Sequence, residues 1–419
     1  MNKIRSTLYK SMLLALCVAL ATVTVAWAAS GDLDLTFSGD GKIIQALGGT
    51  GSRAWDAAVQ ADGKVVTVGN RYASGGAADF AIVRYNTDGS LDATFSGDGK
   101  QFISFGHSDD GLAVVIQTDG KIVVGGQTCN TSGVCDVALA RLNTNGSLDT
   151  TFSGDGKVVQ DFGGDDNGGS DIALNGAKIV VAGYEFRGGD YDGAIYQFTA
   201  SGAVDTTFAG GDGAYYVASS DYEFLRSVVV SGGKIYAVGE VTPPDDSTAD
   251  FLAVSLNSNG SPNTAFGGTG VATTDLGGYD WGRGIVVSGG KPVVVGASDS
   301  SFVIMRYAAN GNLDTTFSGD GVIMETLGYA APNFRSVTFQ GTKIGVGGTT
   351  DYFGVGDTLM LRYTTAGNLD TTFGVGGKVK TNWGGTDVLT SVLFKNNRIY
   401  AVGGSKTTAH RFIVAAYQP

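Results

Sequence analysis

The chain has 419 residues and a formal net charge of −12, with 40 acidic against 28 basic side chains. A surface this acidic repels phosphate backbones, so nucleic acid is not an expected partner. Only two histidines are present, which excludes a histidine-rich metal site. The 67 glycines and six prolines favour a chain with many tight turns.

Residues 1–28 have the pattern of a secretory signal peptide. Lys3, Arg5 and Lys10 form a basic start, residues 13–25 are mostly apolar, and residues 26–28 read Ala-Trp-Ala. A transmembrane anchor is the alternative, but the apolar run is short for a span of about 20 residues. We therefore expect export to the periplasm, the cell surface or the medium. No membrane insertion is expected after cleavage, and residues 29–419 should form a single domain.

A short phrase, best read as Leu-Asp-x-Thr-Phe-Ser-Gly-Asp-Gly, recurs seven times at steps of 51 to 58 residues. Its phenylalanines are Phe37, Phe95, Phe152, Phe208, Phe266, Phe317 and Phe373. A fixed period of this size is typical of arrays in which each unit buries its apolar face against its neighbours.

The unit that follows Phe95 contains four β-rich runs, at residues 100–105, 112–117, 121–126 and 137–142. Turn residues separate these runs, and no stretch shows a sustained helical period. Seven repeats of about 56 residues with four antiparallel strands each predict an all-β, seven-bladed β-propeller. In this interpretation the phrase joins the outer strand of one blade to the inner strand of the next. The phrase at the start of the chain should dock on the last strand, residues 412–417, and close the ring.

Two further patterns predict structural contacts. Cys129 and Cys135 lie six positions apart in a loop of an exported chain, which predicts a local disulfide. In four repeats an arginine stands eight residues before an aspartate of the phrase, as Arg84 and Asp92, Arg141 and Asp149, Arg306 and Asp314, and Arg362 and Asp370. In another copy both charges are lost together, leaving Ser255 and Asn263. This joint loss predicts an ion pair that stabilises the turn rather than a catalytic pair.

The aspartate before the last glycine of the phrase is replaced by Thr269 and Gly376 in two copies. A turn position tolerates such replacement better than a repeated calcium ligand does, so calcium stays possible but is not expected in the phrase. No other cofactor is expected.

The phrase, its period and the run Asp119–Gly126 resemble the delta-60 repeat family of bacterial exported proteins. The resemblance extends from Asp32 to Tyr417. It implies a β-propeller fold, and it brings no established catalytic residues.

The phrases and the tight hairpins are expected on one face of the ring, and the variable loops on the other. Variable loops on a rigid scaffold commonly carry binding sites. Aromatic and acidic side chains that suit a glycan or a protein partner are Tyr184, Glu185, Phe186, Tyr222, Glu223, Phe224, Tyr279, Asp280, Trp281, Tyr352 and Trp383. We expect a monomeric, non-catalytic binding module. The alternative is a carbohydrate-active hydrolase or lyase that uses acids of this face, with Glu185 and Glu223 as the first candidates.

Overall fold

The computed structural model describes residues 29–419 except for 75, 218, 330–331, 352–355 and 407–408. The predicted signal peptide and Tyr352 lie outside the described residues. Within them the chain forms 28 strands, arranged as seven four-stranded antiparallel sheets. This architecture confirms the predicted all-β, seven-bladed β-propeller with four strands per blade.

The strands of the first half of the ring have these bounds. The first strand is β1 (Lys42–Gln45). Blade 1 contains β2 (Gly51–Val59), β3 (Val65–Tyr72), β4 (Ala78–Tyr85) and β5 (Lys100–Ile103). Blade 2 contains β6 (Ser108–Ile116), β7 (Ile122–Cys129), β8 (Cys135–Leu142) and β9 (Lys157–Gln160). Blade 3 contains β10 (Asp166–Asn175), β11 (Lys178–Arg187), β12 (Asp190–Phe198) and β13 (Ala214–Val217).

The remaining blades follow in chain order. Blade 4 contains β14 (Tyr222–Ser231), β15 (Lys234–Thr242), β16 (Asp250–Asn257) and β17 (Val271–Thr274). Blade 5 contains β18 (Asp280–Ser288), β19 (Lys291–Ser298), β20 (Ser301–Arg306) and β21 (Val322–Glu325). Blade 6 contains β22 (Asn333–Gln340), β23 (Lys343–Thr349), β24 (Thr358–Thr364) and β25 (Lys378–Thr381). Blade 7 contains β26 (Thr386–Lys395), β27 (Arg398–Lys406) and β28 (His410–Tyr417), with β1 as its outer strand.

The predicted position of the phrase within the blade was wrong. The phrase joins the third strand of a blade to the fourth, outermost strand of the same blade, as from β4 to β5. The reason is that the phrase folds back on itself. The amide of Asp92 donates to the Arg84 carbonyl, that of Phe95 to Asp92, and that of Gly99 to Phe95. These turns return the chain to the strand that it has just left.

Because the strands of a blade are antiparallel, its connections alternate between two faces of the ring. We call the face with the phrases and the first-to-second hairpins the phrase face. The opposite face carries the second-to-third hairpins and the links between blades, and we call it the variable face. The division of loops between the two faces therefore follows the sequence-based expectation. What differs is which pair of strands each loop connects within the blade.

The N-terminal segment closes the ring. β1 pairs antiparallel with β28, from Lys42 opposite Ala415 to Gln45 opposite Phe412. Upstream of it, Leu33 bridges Tyr417, and the amide of Gln418 donates to the carbonyl of Asp32 at 2.8 Å. The phrase at Phe37 thus docks on the last strand, and β1 supplies the fourth strand that blade 7 lacks.

The core consists of seven apolar clusters, one between each pair of neighbouring blades. Alternating valines, isoleucines and alanines of the middle strands form these clusters, because successive strand residues point to opposite faces of the sheet. The phenylalanine of every phrase is at most 2% exposed. Each repeat therefore buries its apolar surface against a neighbour, as the sequence period predicts.

Each first strand has a β-bulge halfway along its length. The bulged residues are Trp55, Leu112, Ser170, Arg226, Arg283, Arg335 and Thr390. All seven line one central channel around the axis of the ring, with a cavity of about 270 Å³. The first strands are therefore the innermost ones, and the bulges direct their side chains toward the axis.

Candidate functional site

The phrase aspartate is held by two cations rather than one. In blade 2, Asp149 Oδ2 accepts from Arg141 Nε at 2.7 Å and lies 2.9 Å from Lys121 Nζ. Its Oδ1 accepts from the amide and the hydroxyl of Thr151. Burial acts to raise the pKa of Asp149, but the hydrogen bonds from Lys121 and Thr151 and the charge of Arg141 hold it well below its usual value. The group is a structural anchor of the turn.

The same contact recurs around the ring. Nε of Arg84, Arg306 and Arg362 lies 2.7 to 2.9 Å from its phrase aspartate, in each case with a lysine beside it. Sequence analysis missed these lysines. The signal was present, because the residue that opens or immediately precedes every second strand is basic: Lys64, Lys121, Lys178, Lys234, Lys291, Lys343 and Arg398.

Two copies that lack the arginine keep the contact with other side chains, and only the copy in blade 4 is neutral, because Asp205 in blade 3 still pairs with Lys178. In blade 3, Gln197 Nε2 donates to Asp205 Oδ2 at 2.7 Å. In blade 4, Asn263 Nδ2 donates to the Ser255 hydroxyl at 3.0 Å. The joint replacement of both charges seen in the sequence is therefore a replacement within one contact.

Three of these arginines, Arg84, Arg141 and Arg306, also reach the next blade. Arg141 Nη1 donates to the Ala200 carbonyl, and its guanidinium lies 4.7 Å from the centre of the Phe152 ring. The phrase thus joins two blades as well as two strands. The second aspartate of the phrase has a local role, since Asp98 Oδ1 accepts from the amide of Lys100 at 3.0 Å. This turn contact gives the aspartate a structural role that does not require a bound calcium ion.

The predicted disulfide lies on the variable face. Cys129 ends β7 and Cys135 begins β8, and the two residues stand opposite each other in the hairpin. The bond therefore closes a short loop that strand pairing already holds together.

Four of the predicted aromatic residues come together on the variable face of blades 3 and 4. Tyr191 lies at the centre of the group, 5.0 Å from Phe186, 5.1 Å from Phe224, 5.6 Å from Tyr184 and 6.2 Å from Tyr222 between ring centres. We call these five residues the aromatic cluster. They lie at the ends of strands rather than in loops, and all are partly exposed. Burial raises the pKa of Tyr184 to about 12, so its hydroxyl stays protonated.

Sequence analysis did not select Tyr191 as a site residue. The signal that could have found it is hairpin register, because Tyr191 stands opposite Phe186 across the turn between β11 and β12.

The two acids chosen as catalytic candidates lie on opposite faces of the blade 3 sheet. Glu185 points toward blade 2, on the side of the buried Tyr196, and Glu223 packs against Gly193 from blade 4. Both are at most 3% exposed. Burial raises the pKa of Glu185, and burial together with nearby acids such as Asp192 raises that of Glu223 to about 7. The sheet between them prevents the two carboxylates from acting on one bond.

The other candidates separate into two places. Asp280 and Trp281 begin the first strand of blade 5. Tyr279 immediately precedes it, and its hydroxyl donates to the Asp246 carbonyl. Trp383 is only 7% exposed, and its indole Nε1 donates to the Thr358 hydroxyl at 3.2 Å. Trp383 is therefore part of the core of blade 7 rather than of an open surface.

The central channel contains charged groups that sequence analysis did not select. Arg226, Arg283 and Arg335 are the bulged residues of three consecutive blades. The guanidinium of Arg226 donates to Glu240 Oε1 at 2.8 Å from Nε, and it lies 4.9 Å from the Phe224 ring. The Arg283 guanidinium lies 5.9 Å from the Trp281 ring.

Two carboxylates also line the channel, and each fastens one blade to the next. Asp56 Oδ2 accepts from the amide of Val114 at 3.0 Å, and Asp171 Oδ2 accepts from that of Val228 at 2.8 Å. The hydroxyl of Ser227 donates to Asp171 at 2.9 Å. Burial and the neighbouring charge of Asp56 raise the pKa of Asp171 to about 7. Both aspartates thus have a structural use.

Five segments of the chain match a family model described as "Domain of unknown function (DUF5122) beta-propeller". They are residues 60–95, 117–152, 178–208, 290–317 and 343–373. Each segment ends at the phenylalanine of a phrase. The chain therefore carries repeats of a β-propeller family, while the delta-60 name stays a resemblance. A search of curated proteins found no match.

Several solved structures are similar to this chain at low sequence identity. The β-propeller domain of the Trilobed protease from Pyrococcus furiosus is 11% identical, with 88% of this chain and 96% of that chain covered and a TM-score of 0.47. Sqt1 from Chaetomium thermophilum bound to the N-terminus of ribosomal protein L10 is 13% identical, with coverage of 94% and 100% and a TM-score of 0.47. Virginiamycin B lyase from Staphylococcus aureus is 9% identical, with coverage of 89% and 98% and a TM-score of 0.48.

In the part of the chain that the structure describes, no helix has the length and hydropathy of a membrane span.

Proposed function

We propose that this protein is an exported, monomeric, non-catalytic module that binds an acidic glycan at the variable-face mouth of the central channel. The observation that carries the proposal is the order of side chains along the first strands. In β14, Tyr222 and Phe224 precede Arg226, and in β18, Trp281 precedes Arg283. A ligand that enters from the variable face meets aromatic rings first and guanidinium groups further in.

This order suits one ligand chemistry. Aromatic rings pack against the apolar faces of sugar rings, and guanidinium groups bind carboxylates with paired hydrogen bonds. Three arginines line the channel together with Asp56 and Asp171, and their guanidinium groups are the donors that an acidic ligand would use. The cavity of about 270 Å³ has the size of a small-ligand cleft, which favours a sugar unit over a folded protein domain.

The first experiment is a glycan array with residues 29–419, followed by titration calorimetry with neutral and uronic-acid oligosaccharides. We expect acidic glycans to bind and neutral ones to bind at least tenfold more weakly. Arg335→Met should reduce the affinity at least tenfold. Arg187→Met is the matched control, because Arg187 is exposed on the variable face away from the channel, and it should bind like the wild type. Equal binding of neutral and acidic glycans, or none, would contradict the proposal.

One observation favours the alternative of a hydrolase or lyase. Asp56 and Asp171 line the same channel, and the pKa of Asp171 lies near 7. Incubation with acidic polysaccharides and analysis of reducing ends separates the two functions. Turnover that Asp171→Asn abolishes would establish the enzyme, whereas binding without turnover supports the binding module.

Export and monomeric state have their own tests. N-terminal sequencing of protein from the culture medium or periplasm should begin at Ala29. Light scattering of the purified protein should give the mass of one chain.

A further inference from the structure

Three carboxylates meet on the variable face between blades 4 and 5. Asp250 begins β16, Asp280 begins β18, and Asp275 lies in the link between the two blades. One oxygen of each lies within 4.8 Å of the others. Calcium binds oxygen ligands at about 2.3–2.6 Å, so two ligands of one ion can be up to about 5.2 Å apart. Three oxygens spaced evenly around one calcium ion at 2.6 Å are about 4.5 Å apart, so the three carboxylates need at most a small adjustment to bind a single ion.

One member of this group is a buried carboxylate whose hydrogen bonding is incomplete. Asp280 is fully buried, and within the described chain its Oδ1 accepts no hydrogen bond of good geometry. Its other oxygen accepts from the amide of Leu276 at 2.7 Å. Ser298 stands opposite Asp280 in the sheet, and its hydroxyl is shared between Asp280 and the Gly277 carbonyl, so it satisfies the carboxylate only in part. A buried carboxylate oxygen is costly unless a donor or a cation satisfies it.

Blade 2 shows how the same position is satisfied without an ion. Asp109 occupies the place of Asp280 in its strand, and its Oδ2 accepts from the amide of Phe105 at 2.8 Å. There the hydroxyl of Thr128, opposite Asp109, donates to Oδ1. The same strand position also leaves a buried oxygen without a partner in Asn167, Glu223 and Asp387, so Asp280 differs from them in having two further carboxylates beside it.

No basic side chain balances these charges. Among the described residues, no lysine or arginine lies within ion-pair distance of Asp250, Asp275 or Asp280. Burial and the charges of Asp275 and Asp221 raise the pKa of Asp250, and burial and the charges of Asp250 and Asp275 raise that of Asp280. The three groups repel one another as they stand.

The backbone around the group is already fixed. The amide of Asp280 donates to the Ala249 carbonyl at 2.7 Å, and Ala249 donates back to Gly278 at 3.2 Å. The Tyr279 hydroxyl binds the Asp246 carbonyl, which holds the second-to-third hairpin of blade 4 against blade 5. A site on such a support needs little ordering when the ion binds.

We propose that Asp250, Asp275 and Asp280 bind one calcium ion that links blade 4 to blade 5. Three carboxylates and no nitrogen or sulfur ligand favour a hard cation. Calcium suits the site better than magnesium because it accepts irregular oxygen geometry. The proposal is independent of the glycan site, since none of the three aspartates lines the central channel.

The test is calorimetric titration with CaCl₂ and thermal melting in CaCl₂ or EDTA, on residues 29–419. We expect one calcium per chain. The melting temperature should rise by about 3 °C at a calcium concentration of one hundred times the Kd. An unchanged melting temperature, or an equal rise with magnesium, would overturn the assignment.

Three variants locate the ion. Asp275→Asn should lower the calcium affinity at least tenfold, yet melt at or above the wild-type temperature in EDTA because one repelling charge is gone. Its amide oxygen can still accept from Gly277, as Asp275 does at 2.7 Å. Asp250→Asn should behave in the same way. The matched control is Asp387→Asn, which changes the corresponding aspartate of blade 7, whose Oδ1 also lacks a partner. Wild-type calcium affinity in Asp275→Asn and Asp250→Asn would refute the site.

Discussion

Closure of the ring depends on a segment that is distant in sequence from the blade it completes, and substitution of Phe37 tests this. Phe37 is fully buried in the cluster between blades 1 and 7, with its ring 6.0 Å from that of Tyr400. Truncation of a buried phenylalanine to alanine costs about 3–5 kcal/mol. Phe152 has the same burial and the same place in its phrase, so Phe152→Ala should lower the free energy of unfolding by a similar amount.

The two variants should differ in which segment of the chain unfolds locally. Residues 31–45 are held to β28 by backbone pairing and to β27 by the ion pair of Arg398 and Asp34 at 2.6 Å. Loss of the Phe37 anchor therefore frees a chain end, whereas loss of Phe152 weakens a segment tethered on both sides. We expect hydrogen exchange at residues 31–45 to accelerate at least tenfold in Phe37→Ala and to stay near wild type in Phe152→Ala. Equal exchange of this segment in both variants would refute the closure argument.

Three other predictions follow from the contacts described above. Asp149→Ala leaves the buried Arg141 without its partner and should cost about 3–5 kcal/mol of unfolding free energy in urea titration, whereas Asp155→Ala, in an exposed turn, should cost less than about 1 kcal/mol. Glu223→Gln should stabilise the protein by on the order of 2 kcal/mol at pH 8 and not at pH 4, because the pKa of Glu223 is raised to about 7; equal melting temperatures at pH 8 would contradict this. Cys129→Ser should lower the unfolding free energy in urea titration by about 2–3 kcal/mol, because the bond closes a short loop.

The fold was predictable because the evidence for it is repeated. Seven phrases, each with a buried phenylalanine, fix the number of blades. The joint replacement of the charged pair by Ser255 and Asn263 identifies a contact without any structure. The disulfide between Cys129 and Cys135 needed only their spacing and the expected compartment. Each of these inferences rests on a local pattern or on comparison between copies within the chain.

Which four strands form one blade could not be predicted in the same way. Four short strands per repeat can be divided into blades at more than one connection, and the choice depends on hydrogen bonds inside the phrase. The channel arginines were missed for a related reason. Arg226, Arg283 and Arg335 lie on three different strands, and only the bulges of the first strands bring them to one axis. The apolar neighbours of such residues along the strand indicate a core position, not a shared cavity.

The acidic groups of the two faces have opposite effects on stability. The pKa of each charged phrase aspartate is lowered, as for Asp149, so these groups stabilise the fold above pH 4 and lose that contribution only as the pH falls through their folded pKa. Glu223 and Asp280, toward the variable face, have raised pKa values and therefore destabilise the folded state at neutral pH. A stability cost that no contact within the protein offsets is typical of binding sites. A calcium ion bound at Asp280 would offset part of this cost. Asp275→Asn and Asp250→Asn should therefore raise stability in EDTA and also weaken the response to calcium.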